Sequence, residues 1–583
     1  MATINKVYPH VNVTTKALIR TIPEIVDTGA TSLFVPFYSK KGLSGKVQKI
    51  YNLNQFIAEY GEPDFAYQGR TVLDIYNWLS AGGSIYALRL VSPDATKATG
   101  SYLISDVPDP DTVISVSAKY EGEYYNDISL NLVKSKYSTS ADLYLDAQIL
   151  LNGVRVQSLY KLNAERFIDV VSSTEYIDVS ISSGVDFDTL VNQIGLVGTT
   201  IELSGGDDGD FSFDNTLARF YGAAKLSLKT TSTSISQAAT TASFTLDVTG
   251  INNSGLDVKW SVGDPVKVYS DANYVLGTVT LISETALEIA ITSKSLATDP
   301  TVATWTVILQ ESFEYPTAES LISNKLENPI DVILDSGHSI FVKELIKDFS
   351  EVRDDIFYFL SDFDFSASET GSITNVIAEK LNQSVYAQKF SVEDVISGKN
   401  IWVGPSYFLA SLIPFNDRVY GIQWPTAGLT RGVLSGVKSI SVNPTSDDKD
   451  LYYTSRINYV EKDSRGYKFM SQLTGDSFIE NSQGEYQETA LKFINNARVT
   501  NRIIRDLEDL GRDYLFEFND AATLLSMRNA LNRYVTEWVQ NRTLSLAAVE
   551  VAKDPFSDER VNVTLNIRFT GTIEVISIDL TIE

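Results

Sequence analysis

Between Ile330 and Phe390 the sequence alternates strand-like and helix-like patterns in the order "IDVILD", "SIFVKELIKDFSEVR", "DIFYFLS", "SITNVIAEKLNQ" and "SVYAQKF". The short apolar runs carry few polar interruptions, as strands buried on both faces do, and the longer segments between them repeat apolar residues at helical spacing. A strand that must return parallel to its predecessor needs a crossover of a dozen residues or more, and an amphipathic helix supplies it. The alternation therefore predicts a largely parallel sheet with helices packed on its faces.

A second constraint lies in the closing residues. Apolar side chains occupy odd positions through Val561, Val563, Leu565, Ile567 and Phe569, then Ile573 and Val575, and shift to even positions at Ile576, Ile578, Leu580 and Ile582. Period two reads as strand, and a one-residue slip turns the apolar set to the other face, so a bulge or a crossing between sheets is expected near Val575. The last strand then offers a row of backbone donors and acceptors that natural proteins do not leave bare. The opening stretch alternates similarly at Val7, Pro9, Val11 and Val13. Pro9 has no N–H, which restricts that segment to an edge strand or a partner-seeking arm.

At 583 residues the chain exceeds what one core serves, and several domains are expected. The reading divides it into an arm at 1–22, an α/β part of the core at 23–105 and a β-rich domain at 106–210. A small barrel or sandwich follows at 228–310, entered through the Ser/Thr-rich "LKTTSTSISQAATTASFTLDV". An α/β domain at 311–484 and a C-terminal domain at 485–583 complete it. The fold class expected is α/β and α+β multidomain, with an inserted all-β domain and a C-terminal α+β domain that carries terminal strands.

With no Cys the chain has neither disulfides nor thiolate chemistry. A formal charge of −26 argues against nucleic acid, whose phosphates need Lys and Arg, and makes free copies repel one another. No apolar run approaches the roughly 20 residues of a membrane span, and no leader pattern follows Met1, so synthesis and use in a cytoplasm are expected.

Candidate chemistry is sparse. His338 follows "DVILD", at the strand end where open α/β sheets hold ligands, with Asp335 and Ser336 beside it. No nucleophile elbow accompanies it, and a polar loop residue is the better reading. "GLSGKV" around Lys46 lacks the spacing of a phosphate loop and reads as a turn. "GGDDGDFSFDN" offers Asp207, Asp208, Asp210 and Asp214 as oxygen ligands without the Glu that closes an EF-hand, and reads as a solvated turn. Asp354 and Asp355 are adjacent and alternate in direction, unlike the convergent carboxyls of a glycosidase. No cofactor is expected.

Several stretches, in order, resemble the contractile tail sheath proteins of bacteriophages: "SLFVPFYSKKG", "QKIYNLNQFIAEYG", "WLSAGGSIYALRLV", "AKYEGEYYNDISLNLV", "LSGGDDG", "GIQWPTAGL", "TSRINYV", "FEFND" and "DPFSDERVNVTLNIRFTGTIEVISIDLTI". The resemblance implies a non-enzymatic virion subunit, assembled in the host cytoplasm. It implies partners too: other copies of itself in stacked rings, an inner tail tube protein, and baseplate and tail terminator proteins. Terminal arms of the family add strands to neighbouring subunits, which would place Val7, Pro9, Val11, Val13, Ile576, Ile578, Leu580 and Ile582 in inter-subunit sheets. A reading from another class, suggested by abundant strands and 30 Tyr, is a virion-associated polysaccharide-binding or depolymerising protein.

The resemblance also sets the C-terminal domain against the tube. In "ARVTNRIIRDLEDLG", Arg498, Arg502 and Arg505 fall at i, i+4 and i+7, opposite an apolar stripe of Ile503, Ile504, Leu507 and Leu510. Arg512 extends the row unless Gly511 ends the helix. The four arginines are the expected tube contact, and reversing the first three to Glu is expected to weaken assembly on tubes while sparing folding.

Overall fold

The computed structural model describes residues 30–571, apart from stretches that include 104–111, 210–216, 222–226, 232–238, 247–261, 297–303, 310–316, 364–377 and 481–485 and a few shorter gaps. Val7, Pro9, Val11 and Val13, the slip near Val575, and Ile576, Ile578, Leu580 and Ile582 lie outside the described residues, as does the first half of "SITNVIAEKLNQ". The chain divides into two compact units. One comprises the residues up to Val35, Arg70–Tyr86 and everything from Ile322; the other comprises Pro36–Gly69 and Ala87–Leu321.

The first unit is built on parallel strands. β1 (Ser32–Tyr38) and β2 (Ser84–Leu90) begin in it, and β3 (Val332–Leu334), β4 (Phe357–Ser361), β5 (Gln383–Tyr386) and β6 (Ile457–Asn458) lie wholly within it. Their order is β2-β1-β3-β4-β5-β6. Leu33 pairs with Val332, Val332 with Phe357, Tyr358 with Gln383 and Val385 with Ile457, all parallel. Every residue of β3, β4 and β5 is buried, the physical reason these strands read as continuous apolar runs. Helices α1 (Thr71–Ser80), α2 (Ile340–Phe349) and α3 (Pro405–Val419) belong to this unit. Ser339 caps α2 by accepting from the Val342 amide, and α1 stops before Gly82, whose φ of 92° suits glycine.

The C-terminal part of the same unit is two helices and a hairpin: α4 (Ile494–Asp513), α5 (Ala521–Gln540), β7 (Leu544–Asp554) and β8 (Ser557–Phe569). Val499, Ile503, Leu507 and Leu510 of α4 pack with Leu531, Tyr534 and Val535 of α5 and with Leu544, Val549, Leu565, Ile567 and Phe569 of the hairpin. Each such side chain, fully buried, contributes roughly 1.5–3 kcal/mol. Ile504, expected with them, is half-buried.

The second unit is mostly antiparallel. Ile128–Lys134, Leu145–Leu151, Val154–Leu162 and Thr199–Glu202 form one sheet, and Lys97–Leu103, Thr112–Glu121 and Ile177–Ile181 form another, around a core that includes Leu130, Ile149, Phe167, Val179 and Leu190. Six strands between Ser227 and Leu309 close into a barrel. Its first strand, Ser227–Thr231, lies at the start of the Ser/Thr-rich stretch read as a linker. That strand pairs antiparallel with Thr304–Leu309, Ser227 opposite Ile308, because β-branched Thr serves a ladder as readily as a loop.

Candidate interaction site

The arginine row on α4 is the place where sequence reasoning put a contact with another protein. The helix runs unbroken through Gly511, which does not end it, so all four arginines are helical. Their surroundings correct the idea of an outward basic face. Arg498 is 4% exposed, and both its terminal nitrogens donate to Asp417 near the end of α3, one of them to Oδ1 at 3.1 Å. Thr31, next to the first residue of β1, donates to the same carboxylate at 2.6 Å. Two turns further along, Arg505 donates to Oδ1 of Asp331, at the entry to β3. The other oxygen of Asp331 accepts from the amide and hydroxyl of Ser32 at 2.7 and 2.8 Å.

These are charge-assisted bonds in a nearly water-free place, where electrostatics are strong and an unpaired charge is costly. Burial alone would raise the Asp331 carboxyl, but the charges of Arg505 and then Arg502, with the Ser32 bonds, outweigh it and hold the group down at about 2. Arg498 and Arg505 thus bolt α4 to α3, to β3 and to the start of β1, leaving their charges spent inside the unit.

The remaining two arginines pair on their own helix. Arg502 donates to Asp506 at 3.2 Å, four residues on, and Asp506 also accepts from Tyr534 of α5 at 2.5 Å. Burial, ahead of the opposing pull of Arg502, pushes Asp506 up, and burial together with Asp506 pushes the Tyr534 hydroxyl well above its ordinary value, so Tyr534 is the donor. Arg512 meets Asp509 at 2.9 Å with its side chain 37% exposed, the most open of the four.

The chemistry weighed from the sequence resolves into structure. His338 is buried rather than displayed on a surface loop, and burial holds it neutral, down at about 3. Asp335 lies 3.3 Å from the buried Lys343 and accepts from the amide and hydroxyl of Ser361. Asp74 of α1 is buried between Ser336 and Ser406, and one of its oxygens has no hydrogen-bond partner. Burial first, then the nearby Asp335, raises it to about 7 against those two hydroxyls. The exposed Asp354 pairs with Lys325 at 2.6 Å, and the buried Asp355 accepts from Arg353 at 2.7 and 2.9 Å with the same Lys325 3.9 Å away, so both carboxyls are occupied by ion pairs. Asp207 and Asp208 accept from the Gly209 and Glu123 amides, and Asp210 and Asp214 lie outside the described residues. Among the described residues no group of three His, Cys, Asp or Glu is placed to hold a metal ion, and no helix is long and apolar enough to cross a membrane.

No family model matches the sequence. Over 143 residues it is 29% identical to a tail sheath protein of Vibrio phage KVP40, a stretch that is 24% of this chain and 20% of that protein. The match therefore spans about one fifth of the length of the curated relative. A sheath tail protein of Listeria innocua aligns with 95% of this chain and 96% of its own at a TM-score of 0.51 and 13% identity. One from Desulfitobacterium hafniense aligns with 96% and 100% at 0.43 and 10%. The chain is related to tail sheath proteins in sequence and has the fold of a sheath tail protein.

Proposed function

We propose that this relative of tail sheath proteins is the structural subunit of a contractile tail sheath. Copies stack as rings around an inner tail tube, bounded by baseplate and terminator proteins, and rearrange together to drive the tube through a host envelope. The observation that carries the reading, beyond fold and family, is the C-terminal hairpin. Among the described residues β7 and β8 pair only with each other, so both outer edges of this helix-backed sheet present backbone donors and acceptors on which a further strand can pair. Strands added from the termini of neighbouring copies, by Val7 to Val13 and by Ile576 to Ile582, would extend that sheet. Each new backbone hydrogen bond adds roughly 1 kcal/mol net, repeated over a lattice.

The tube contact belongs with arginines that keep solvent access. Arg512 on α4 and the exposed Arg528 and Arg533 on α5 fit this better than the buried Arg498 and the partly covered Arg505, which is paired to Asp331. Exposed pairs of roughly 0–1 kcal/mol each suit a surface that must let the tube go during contraction.

Removing residues 1–20, or residues 576–583, should leave folded, soluble subunits that form no tubes in negative stain. Normal tubes from either truncation would refute strand addition by that terminus, and discrete particles with glycan-cleaving activity would favour the depolymerase reading.

A further inference from the structure

Three of the most exposed apolar side chains in the described chain gather at one end of the C-terminal part. Phe516 and Phe518, between α4 and α5, are 87% and 83% exposed, and Phe556, in the hairpin turn, is 96% exposed. Asn519 donates to the Asp558 carbonyl at 2.6 Å, tying the interhelical connection to the residues just past that turn. A phenylalanine presents some 150–250 Å² when fully covered, so the three make an apolar patch of the size that marks a contact. Phe516 also sits at φ 68°, a left-handed conformation that bulky residues rarely adopt and that persists where the surrounding structure imposes it. The patch is rimmed by the exposed acids Glu517, Asp558 and Glu559, which outnumber the exposed Lys553 and Arg560 beside the turn; Lys553 pairs with Asp558 at 3.5 Å.

The far end of the same hairpin has the opposite character. Leu546 is 59% exposed and stands directly across from Arg568 on the outer face of the sheet. Arg542, which links α5 to β7, is exposed beside them in sequence. Among the described residues neither guanidinium is engaged by a carboxylate. β7 has 11 residues, which at about 3.3 Å each separates the two ends by roughly 35 Å.

We propose that the acid-rimmed aromatic tip of one copy docks on the arginine-flanked Leu546 surface of the next copy, a head-to-tail contact within the assembly inferred above, on which it rests. Charge selects the occupant. In a chain at −26 most surfaces repel an acidic tip, and an arginine-rich patch on another copy receives it, with Arg542 and Arg568 free to lie over Phe rings. The tip of a copy cannot reach its own base across the hairpin, so the contact joins two copies; made head to tail, with one tip and one base left open, it propagates into a ring or helix, whereas two hairpins docked reciprocally would close a dimer.

The chain has no Cys, which makes engineered cross-linking clean. Phe556→Cys and Leu546→Cys replace exposed side chains outside the packed core. In the full-length chain carrying both, mild oxidation should give a covalent ladder of dimers, trimers and longer species. Neither single variant should cross-link, and mixing the two singles should give dimers only. Adding Arg542→Glu and Arg568→Glu should cut the ladder at least tenfold. Dimers from Phe556→Cys alone would mean that tips meet tips and would overturn the proposal. So would the lack of any ladder from the double variant, whether or not tubes form. A ladder without tubes would support the contact and overturn the sheath reading alone.

Discussion

Replacing Arg505 with Met isolates one of the two bolts that hold α4 in place. In the parent, Asp331 accepts from Arg505 and from both donors of Ser32, with the two charged side chains 13% and 12% exposed. Without Arg505 the carboxylate keeps the Ser32 bonds and the charge of Arg502, and breaking a fully buried pair on one side costs about 3–5 kcal/mol. The carboxyl's position shows what else holds it. Its depression from 3.8 to about 2 is shared among Arg505, Arg502 and Ser32 working against burial, and because Arg502 and Ser32 remain in the variant the loss falls toward or below the lower end of that range. A local cost of about 2–3 kcal/mol is therefore expected, which means amide exchange at Ser32 and Val332 some 30–150-fold faster at pH 7. Exchange mass spectrometry on the peptides around 30–35 and 328–335 reads this without assuming that a multidomain chain unfolds in one step.

The sign of the pH dependence follows from the depressed carboxyl. Its contribution is complete above the unfolded value of 3.8 and is lost as pH falls through about 2, so parental protection at these amides should drop across that window while the variant changes much less. Adding Asp331→Asn to the Met variant removes the stranded charge and should recover most of the loss. A change below about threefold at pH 7, with an acid profile like the parent's, would refute the claim that this pair is buried and structural.

Reversing Arg498, Arg502 and Arg505 to Glu, expected from the sequence alone to spare folding, should instead yield insoluble chain, because new carboxylates would face Asp417, Asp506 and Asp331; a soluble variant with parental circular dichroism would refute this, and Arg512→Glu is the folded control. Asp74→Asn should raise protection of α1 above neutral pH. The parent's carboxyl, raised to about 7, loses stability as pH climbs from about 4 to 7, and Asn cannot ionise; equal exchange of parent and variant at pH 8 would refute it. Excising 228–309 should leave the rest of the second unit folded and assembly intact, since Ser227 and Ile308 are cross-strand neighbours and a short Gly/Ser linker spans the gap; loss of assembly with the remainder folded would place the barrel inside the lattice.

How far the sequence reaches is clear on α4 itself. Periodicity correctly separated Ile503, Leu507 and Leu510 from Arg498, Arg502 and Arg505, because a helix fixes which residues share a face. It could not say what covers the second face. Asp417 lies 81 residues from Arg498, and Asp331 lies 174 from Arg505, so both partners arrive through the fold of the parallel sheet and leave no local trace. The buried strands were legible for the converse reason, since burial on both faces writes itself into consecutive apolar residues. His338, read as a polar loop residue, does lie in the loop after β3; what the sequence left unsaid is its burial, and Lys343 and Ser361, from a helix and a neighbouring strand, close around the adjacent Asp335. The tip left no such trace: "FEFND" entered the sequence reading only as a point of resemblance, and the exposure of Phe516 and Phe518 emerges with the φ of 68° at Phe516 and the Asn519 bond to Asp558. An acidic chain that spends Arg498 and Arg505 inside a unit, while leaving Arg542 and Arg568 without a carboxylate partner among the described residues, separates arginines that build the subunit from arginines available to join it to another.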